Sequence, residues 1–128
     1  MKKEDLMIGD WVNIQTEKDD EPMYSQVEQL WECGIDADFQ TDYENVYPIS
    51  LTPEILEKNA FLKVEAIEYP SHSVGISFLY RNTPEGLRIF VQNACVGGPT
   101  CTMIKTCKYV HEVQHMIKMC DIEKTFVL

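Results

Sequence analysis

The sequence predicts an α+β domain: an antiparallel, partly curled β-sheet with a short connecting helix and a C-terminal helix packed on the sheet. Three observations lead there. Ile35-Asp36-Ala37-Asp38-Phe39 alternates apolar and acidic residues, the period of a half-buried strand with Ile35, Ala37 and Phe39 turned inward. Thr52-Pro53-Glu54-Ile55-Leu56-Glu57-Lys58-Asn59 carries the start and stop chemistry of a short helix. From Lys108 to Cys120 the apolar residues recur at helical spacing.

The elements follow in order. Leu6 to Gln15 is expected to open the chain as a strand, with Ile8, Trp11, Val12 and Ile14 for weight and Gly9-Asp10 as a bend. The charged stretch Thr16 to Pro22 is a loop. Tyr24 to Trp31 is a second strand, which Gly34 separates from the alternating segment. Asn45 to Ile49 is a fourth, short because of Pro48. In the helix, Thr52 is the N-cap, Pro53 takes the first helical position, Glu54 lies near the positive end of the dipole, and Asn59 closes it. Strands resume at Leu62–Glu68, Val74–Arg81 and Leu87–Gln92, the last two joined as a hairpin by Asn82-Thr83-Pro84-Glu85-Gly86. After a turn at Gly97-Gly98-Pro99 comes a strand at Thr102–Lys105. The final helix runs from about Lys108 to Cys120, and Ile122 to Leu128 is a tail able to add an edge strand. The whole is expected to be one domain, 1–128, with an N-terminal meander over about 1–50 and antiparallel strands over about 61–105.

Length and composition agree with this. A chain of 128 residues, 45% hydrophobic and 25% charged, can bury a core without metal or disulfides. No apolar segment follows the basic N-terminal residues and no run approaches a membrane span, so a cytoplasmic protein is expected. The five cysteines (Cys33, Cys95, Cys101, Cys107, Cys120) are an odd number that fits reduced, buried thiols. Their x5 spacing from Cys95 to Cys107 is not that of a zinc knuckle.

The net charge of −10 speaks against direct binding of nucleic-acid phosphates, since there are only 11 Lys and Arg. Much of the acid lies between Glu17 and Glu44, against a single lysine, Lys18. Such a segment is a solvated face or a surface that meets a basic partner, with Asp36, Asp38 and Asp42 as its markers.

One segment spells a catalytic signature. His111-Glu112-Val113-Gln114-His115 matches H-E-x-x-H, in which two imidazoles four apart on one helix face bind Zn²⁺ and the glutamate serves as general base for the bound water. Asp121 stands six residues after His115, at third-ligand spacing, with Glu123 as a weaker substitute. The helical wheel opposes this reading. Val110, Val113, Ile117, Cys120, Tyr109 and Met116 form an apolar stripe, while His111 and His115 fall on the opposite face between Lys108 and Lys118. Two ammonium groups beside a divalent cation are unfavourable. Lys118 also occupies the place where a glycine would let the chain turn toward a third ligand.

Three blocks of the chain look familiar. They are Lys2-Lys3-Glu4-Asp5-Leu6-x-Ile8-Gly9-Asp10-Trp11-Val12, Tyr47-Pro48-Ile49-x-Leu51-Thr52-Pro53-Glu54-Ile55-Leu56-Glu57-Lys58-Asn59, and Tyr109-Val110-His111-x-x-Gln114. Together they resemble a group of small proteins without assigned function from Bacteroidetes genomes and their phages or prophages. In that group the middle block has Glu where this chain has Pro53 and Gly where it has Ala60. The tail has Gln at the place of Glu112 and Asn at that of His115. The resemblance implies that the peptidase letters are not part of the shared pattern.

Other constellations are incomplete. Asp36-x-Asp38-x-Gln40-Thr41-Asp42 lacks the glycine and the closing glutamate of a calcium loop, where Tyr47 stands instead. Ser71-His72-Ser73 reads as an exposed turn, and Gly97-Gly98-Pro99-Thr100 is too short for a phosphate loop. Cys107 and His111 are four apart, with no sign of an activated thiolate. The leading expectation is therefore a non-enzymatic, cytoplasmic protein-interaction domain of phage or mobile-element type. It would have no cofactor, no membrane contact and a partner that is a protein, a basic one being suited to the acidic face. The alternative is a minimal zinc hydrolase with His111, His115 and Asp121 as ligands and Glu112 as base. A third option is a small-molecule or peptide binder built on Trp11, Trp31 and Tyr47.

Overall fold

The computed structural model describes residues 1–15, 21–66, 75–94 and 97–128. The expectations for the Thr16–Pro22 loop up to residue 20, for Ser71-His72-Ser73, for the end of the Leu62–Glu68 strand and for Cys95 fall outside the described residues. The architecture is α+β: the described residues form ten strands in open, mainly antiparallel sheets, with a short helix and a C-terminal helix. The chain forms two compact units, Met1–Ser50 with Tyr109–His111, and Leu51–Lys108 with Glu112–Leu128.

The first unit holds two small sheets. One has the order β2-β1-β6, from Met23–Gln26, Trp11–Ile14 and Val46–Tyr47; the other has the order β3-β4-β5, from Gln29–Leu30, Gly34–Asp36 and Gln40–Asp42. The expected opening strand is shortened to Trp11–Ile14. A 3-10 turn occupies Lys3–Asp5, and at Gly9 (φ 94°) the chain bends while the Asp10 carboxylate accepts from Met7 N at 2.8 Å. The expected strand Tyr24–Trp31 is divided at Val27–Glu28. Val27 N donates to Asp10 O, on β1's side, and Glu28 N to Asp36 O, on β4's side, so one bent stretch serves both sheets.

Inward residues are those the alternation dictates for part of its length. Leu6, Val12, Ile14, Val27, Ile35, Ala37 and Val46 form one buried cluster. Phe39 is a correction: it is 41% exposed. The strand ends at Asp36, and Ala37 N turns back to Phe39 O, so the period of two stops before Phe39 is reached. The following strand β5 has no apolar alternation and escaped the sequence reading. It lies so close to β4 that a Cβ on Gly34 would meet Thr41 O at 2.1 Å. A 3-10 turn over Tyr43–Asn45 then reduces the expected Asn45–Ile49 strand to Val46–Tyr47.

The second unit begins with α1, Pro53–Lys58, whose Thr52 hydroxyl accepts from Ile55 N at 3.3 Å, as the capping residues require. Its sheet has the order β10-β9-β8-β7, from Thr100–Cys107, Gly86–Ala94, Gly75–Thr83 and Leu62–Lys63. The hairpin between β8 and β9 turns at Pro84-Glu85, and β7 pairs with β8 in parallel, unlike the antiparallel arrangement expected there. Helix α2, Val110–Met119, lies on one face of this sheet. Cys107 Sγ is 3.6 Å from Met116 Sδ, and Asn93 Nδ2 donates to Cys120 O at 2.8 Å. Tyr80, on the same face, donates to Glu57 Oε1 at 2.6 Å and ties α1 to β8.

The tail adds no strand. Ile122 and Phe126 are buried, and Asn59 exchanges hydrogen bonds with the backbone of Val127 in both directions. The tail's apolar residues therefore cover existing elements rather than extend the sheet.

Candidate functional site

The residues of the catalytic signature have local structural duties. α2 starts beside the segment 49–50: Val110 N donates to Ile49 O, and Ser50 bridges Tyr109. His111 is 8% exposed and its ring stacks on that of Tyr109, centroids 5.9 Å apart. The wheel put both histidines opposite the apolar stripe, a face expected to be in water, and for His111 that expectation is corrected. The wheel counts the helix alone and carries no information on what packs against it. His115 is half-buried and Lys108 and Lys118 are exposed. Tyr109, assigned to the stripe, is 37% exposed because it precedes the helix. The rest of the stripe (Val110, Val113, Met116, Ile117, Cys120) is buried.

Glu112 accepts from Lys108 N at 2.9 Å and pairs with Lys105 Nζ at 3.2 Å. A carboxylate there satisfies an amide just ahead of the helix and faces the positive end of its dipole. Asp121 is exposed in the left-handed region (φ 56°) and ends α2: its N–H reaches Lys118 O at 2.9 Å, and Ile122 N reaches Ile117 O at 3.2 Å. Those two bonds define a Schellman cap. Among the described residues, no group of three or more His, Cys, Asp or Glu side chains is placed to hold a metal ion.

An open hollow of about 410 Å³ is lined by Glu54, Ile55, Glu57, Lys58 and Leu128. Two of its polar groups are engaged within the unit: Glu57 accepts from Tyr80, and Lys58 Nζ donates to Leu128 O at 2.6 Å. Burial pushes the Cys107 thiol up to about 12, away from the range of a reactive thiolate, with Glu112 adding to the effect.

The surface that stands out belongs to the first unit. Thirteen of the 21 carboxylates and three of the 11 basic residues lie in residues 1–50, so that part carries the whole net charge of −10, and 51–128, with eight of each, is neutral. The described lysines of the unit are Lys2 and Lys3, and Lys3 is engaged with Glu32 at 3.2 Å. Large apolar side chains accompany the acid. On the outer side of the sheet β2-β1-β6, register aligns Tyr24 with Asn13 and Asn13 with Tyr47, and the two tyrosines are 50% and 46% exposed. Trp31 and Phe39 are also exposed. On the second sheet, Ile35 and Thr41 turn inward and Asp36, paired with Gln29 and Gln40, turns out. Asp42 is exposed, and Asp38 is held by the Ser25 hydroxyl at 2.8 Å. Of the aromatic trio read from the sequence, Tyr47 and Trp31 are exposed and Trp11 is half-buried.

Comparison with protein-family models, with curated proteins and with solved structures found no match. Among the described residues no helix is long and apolar enough to cross a membrane.

Proposed function

We propose that this chain is a non-enzymatic protein-interaction domain, cytoplasmic and of phage or mobile-element type, whose acidic first unit docks a basic partner. The observation that carries the reading is the coincidence, in one unit, of the entire net charge with exposed tyrosine, tryptophan and phenylalanine rings. Carboxylates attract a cationic segment over a distance and set its approach rate. Aromatic faces then hold lysine and arginine by cation–π contact and apolar burial, which carboxylates alone do not supply. The three sequence blocks shared with the phage-associated group support the setting, and the helix that bears the H-E-x-x-H letters uses them for capping and stacking.

The test uses a short Lys/Arg-rich peptide titrated at low ionic strength and followed by calorimetry. Reversing Asp36 and Asp42 together (Asp36→Lys with Asp42→Lys) is expected to weaken binding by about tenfold or more. Asp42 makes no side-chain cap to the 3-10 turn behind it, so its replacement costs no such bond. Reversing two exposed carboxylates of the second unit, Glu85→Lys with Glu123→Lys, is expected to leave the affinity within about twofold. Equal losses from both pairs would refute a surface localised in the first unit.

A further inference from the structure

We infer that Cys101 and Cys120 form a dithiol site that closes to an intramolecular disulfide on exposure to a small-molecule disulfide of the glutathione type. Their Sγ atoms are 2.7 Å apart, closer than unbonded sulfurs ordinarily sit, and a disulfide needs about 2.05 Å. The two come from different elements of the second unit. Cys101 is the second residue of β10, and Cys120 is the residue directly after α2. They stand 19 positions apart in sequence, too far for local geometry to force them together.

The surroundings fix the pair from both sides. Cys101 is in register with Asn93 of β9, and the Asn93 amide donates to Cys120 O at 2.8 Å. Cys101 Sγ lies 3.6 Å from Met119 O, and Cys120 Sγ lies 3.8 Å from Val91 O. Closing the bond therefore asks for a small movement of two side chains and none of the sheet register.

Access assigns the roles. Cys101 is half-exposed, whereas Cys120 is 1% exposed. Burial, aided by the Cys101 sulfur beside it, pushes the Cys120 thiol up to about 12. The Cys101 thiolate attacks one sulfur of the small disulfide, forms a mixed disulfide and expels the first thiolate. With Cys101 capped, its hydrogen bond and charge no longer hold the Cys120 proton in place; Cys120 then attacks Cys101 Sγ and displaces the second thiolate, and the Cys120 proton leaves with that group. In sum, two protein thiols are oxidised and one small disulfide is reduced to two thiols. The bond pins the C-terminal end of α2 to the start of β10 and turns a packed contact into a covalent one.

The experiment equilibrates the full folded chain in oxidised and reduced glutathione, then maps peptides without reduction. Expected are a Cys101–Cys120 linked peptide two hydrogens lighter than its parts, and a thermal midpoint raised on the order of 5–10 °C. Dithiothreitol should reverse both, and a Cys33→Ser/Cys95→Ser variant should give the same product. The inference is overturned if Cys101 stops as a glutathione adduct, if Cys120 is recovered as a free thiol or linked to another cysteine, or if the linked form has an unchanged midpoint. Because the mapping is done on the unaltered chain, its outcome does not depend on whether Cys101→Ser or Cys120→Ser folds.

Discussion

At the scale of single residues, both helices end on the same device with an unusual occupant. After α1, Ala60 stands at φ 68°, its N–H reaching Glu57 O at 3.1 Å while Phe61 N reaches Leu56 O at 3.0 Å. After α2, Asp121 does the same at φ 56°. Glycine is the residue that adopts this conformation without a Cβ penalty. Ala60→Gly and Asp121→Gly are each expected to stabilise the chain by roughly 0.5–1 kcal/mol, read as a higher urea midpoint at unchanged slope. A lower midpoint for either would mean that the side chain contributes something the cap geometry does not show.

Single residues also mark how far the sequence could be read. Thr52, Pro53 and Asn59 announced α1 because capping is local chemistry, and the structure places its ends within one residue of that reading. Ile35 and Ala37 turned inward as their alternation required, but Phe39 did not, since a period says nothing about where a strand stops. The burial of His111 and the meeting of Cys101 with Cys120 were not legible. The second depends on a strand remote in sequence, β10, and the first is a tertiary effect that a wheel drawn for one helix does not contain.

At the scale of elements, the second unit is tied together by groups that must stay protonated. Tyr80 on β8 donates its phenolic proton to Glu57 on α1, and this bond, with burial, pushes the tyrosine from 10.0 up to about 12. Cys107, at the end of β10 and against Met116 of α2, is raised from 9.0 to about 12 by burial. Both folded values lie above the unfolded ones. Their contribution is therefore complete below about pH 9, and is lost as pH rises toward 12 because the unfolded chain releases these protons first. Urea midpoints measured from pH 8 to 11 should fall over that window. In Tyr80→Phe the fall should be shallower, starting from a neutral-pH stability lower by about 1 kcal/mol for the lost hydrogen bond. An identical alkaline slope in the variant would remove Tyr80 from this account.

At the scale of the whole molecule, charge is partitioned, with residues 1–50 carrying −10 and the remainder no net charge. Thirteen carboxylates among three lysines repel one another, and self-repulsion of this kind opposes the compact state. Salt shortens its reach, the Debye length falling from about 10 Å at 0.1 M to about 3 Å at 1 M. The chain contains its own reporter, because both tryptophans, Trp11 and Trp31, lie in the acidic part. The thermal midpoint followed by tryptophan fluorescence is expected to rise by a few degrees between about 0.02 and 0.5 M sodium chloride. A flat or falling midpoint would show that the acidic groups are too well solvated or too far apart to repel. Over the same range, affinity for the Lys/Arg-rich peptide should fall, because the field that strains the unit is also the field that draws the partner. Stability and affinity moving in opposite directions with one salt would distinguish a docking surface from a solubility device, since a merely solvating face would shift the first and have nothing to lose in the second.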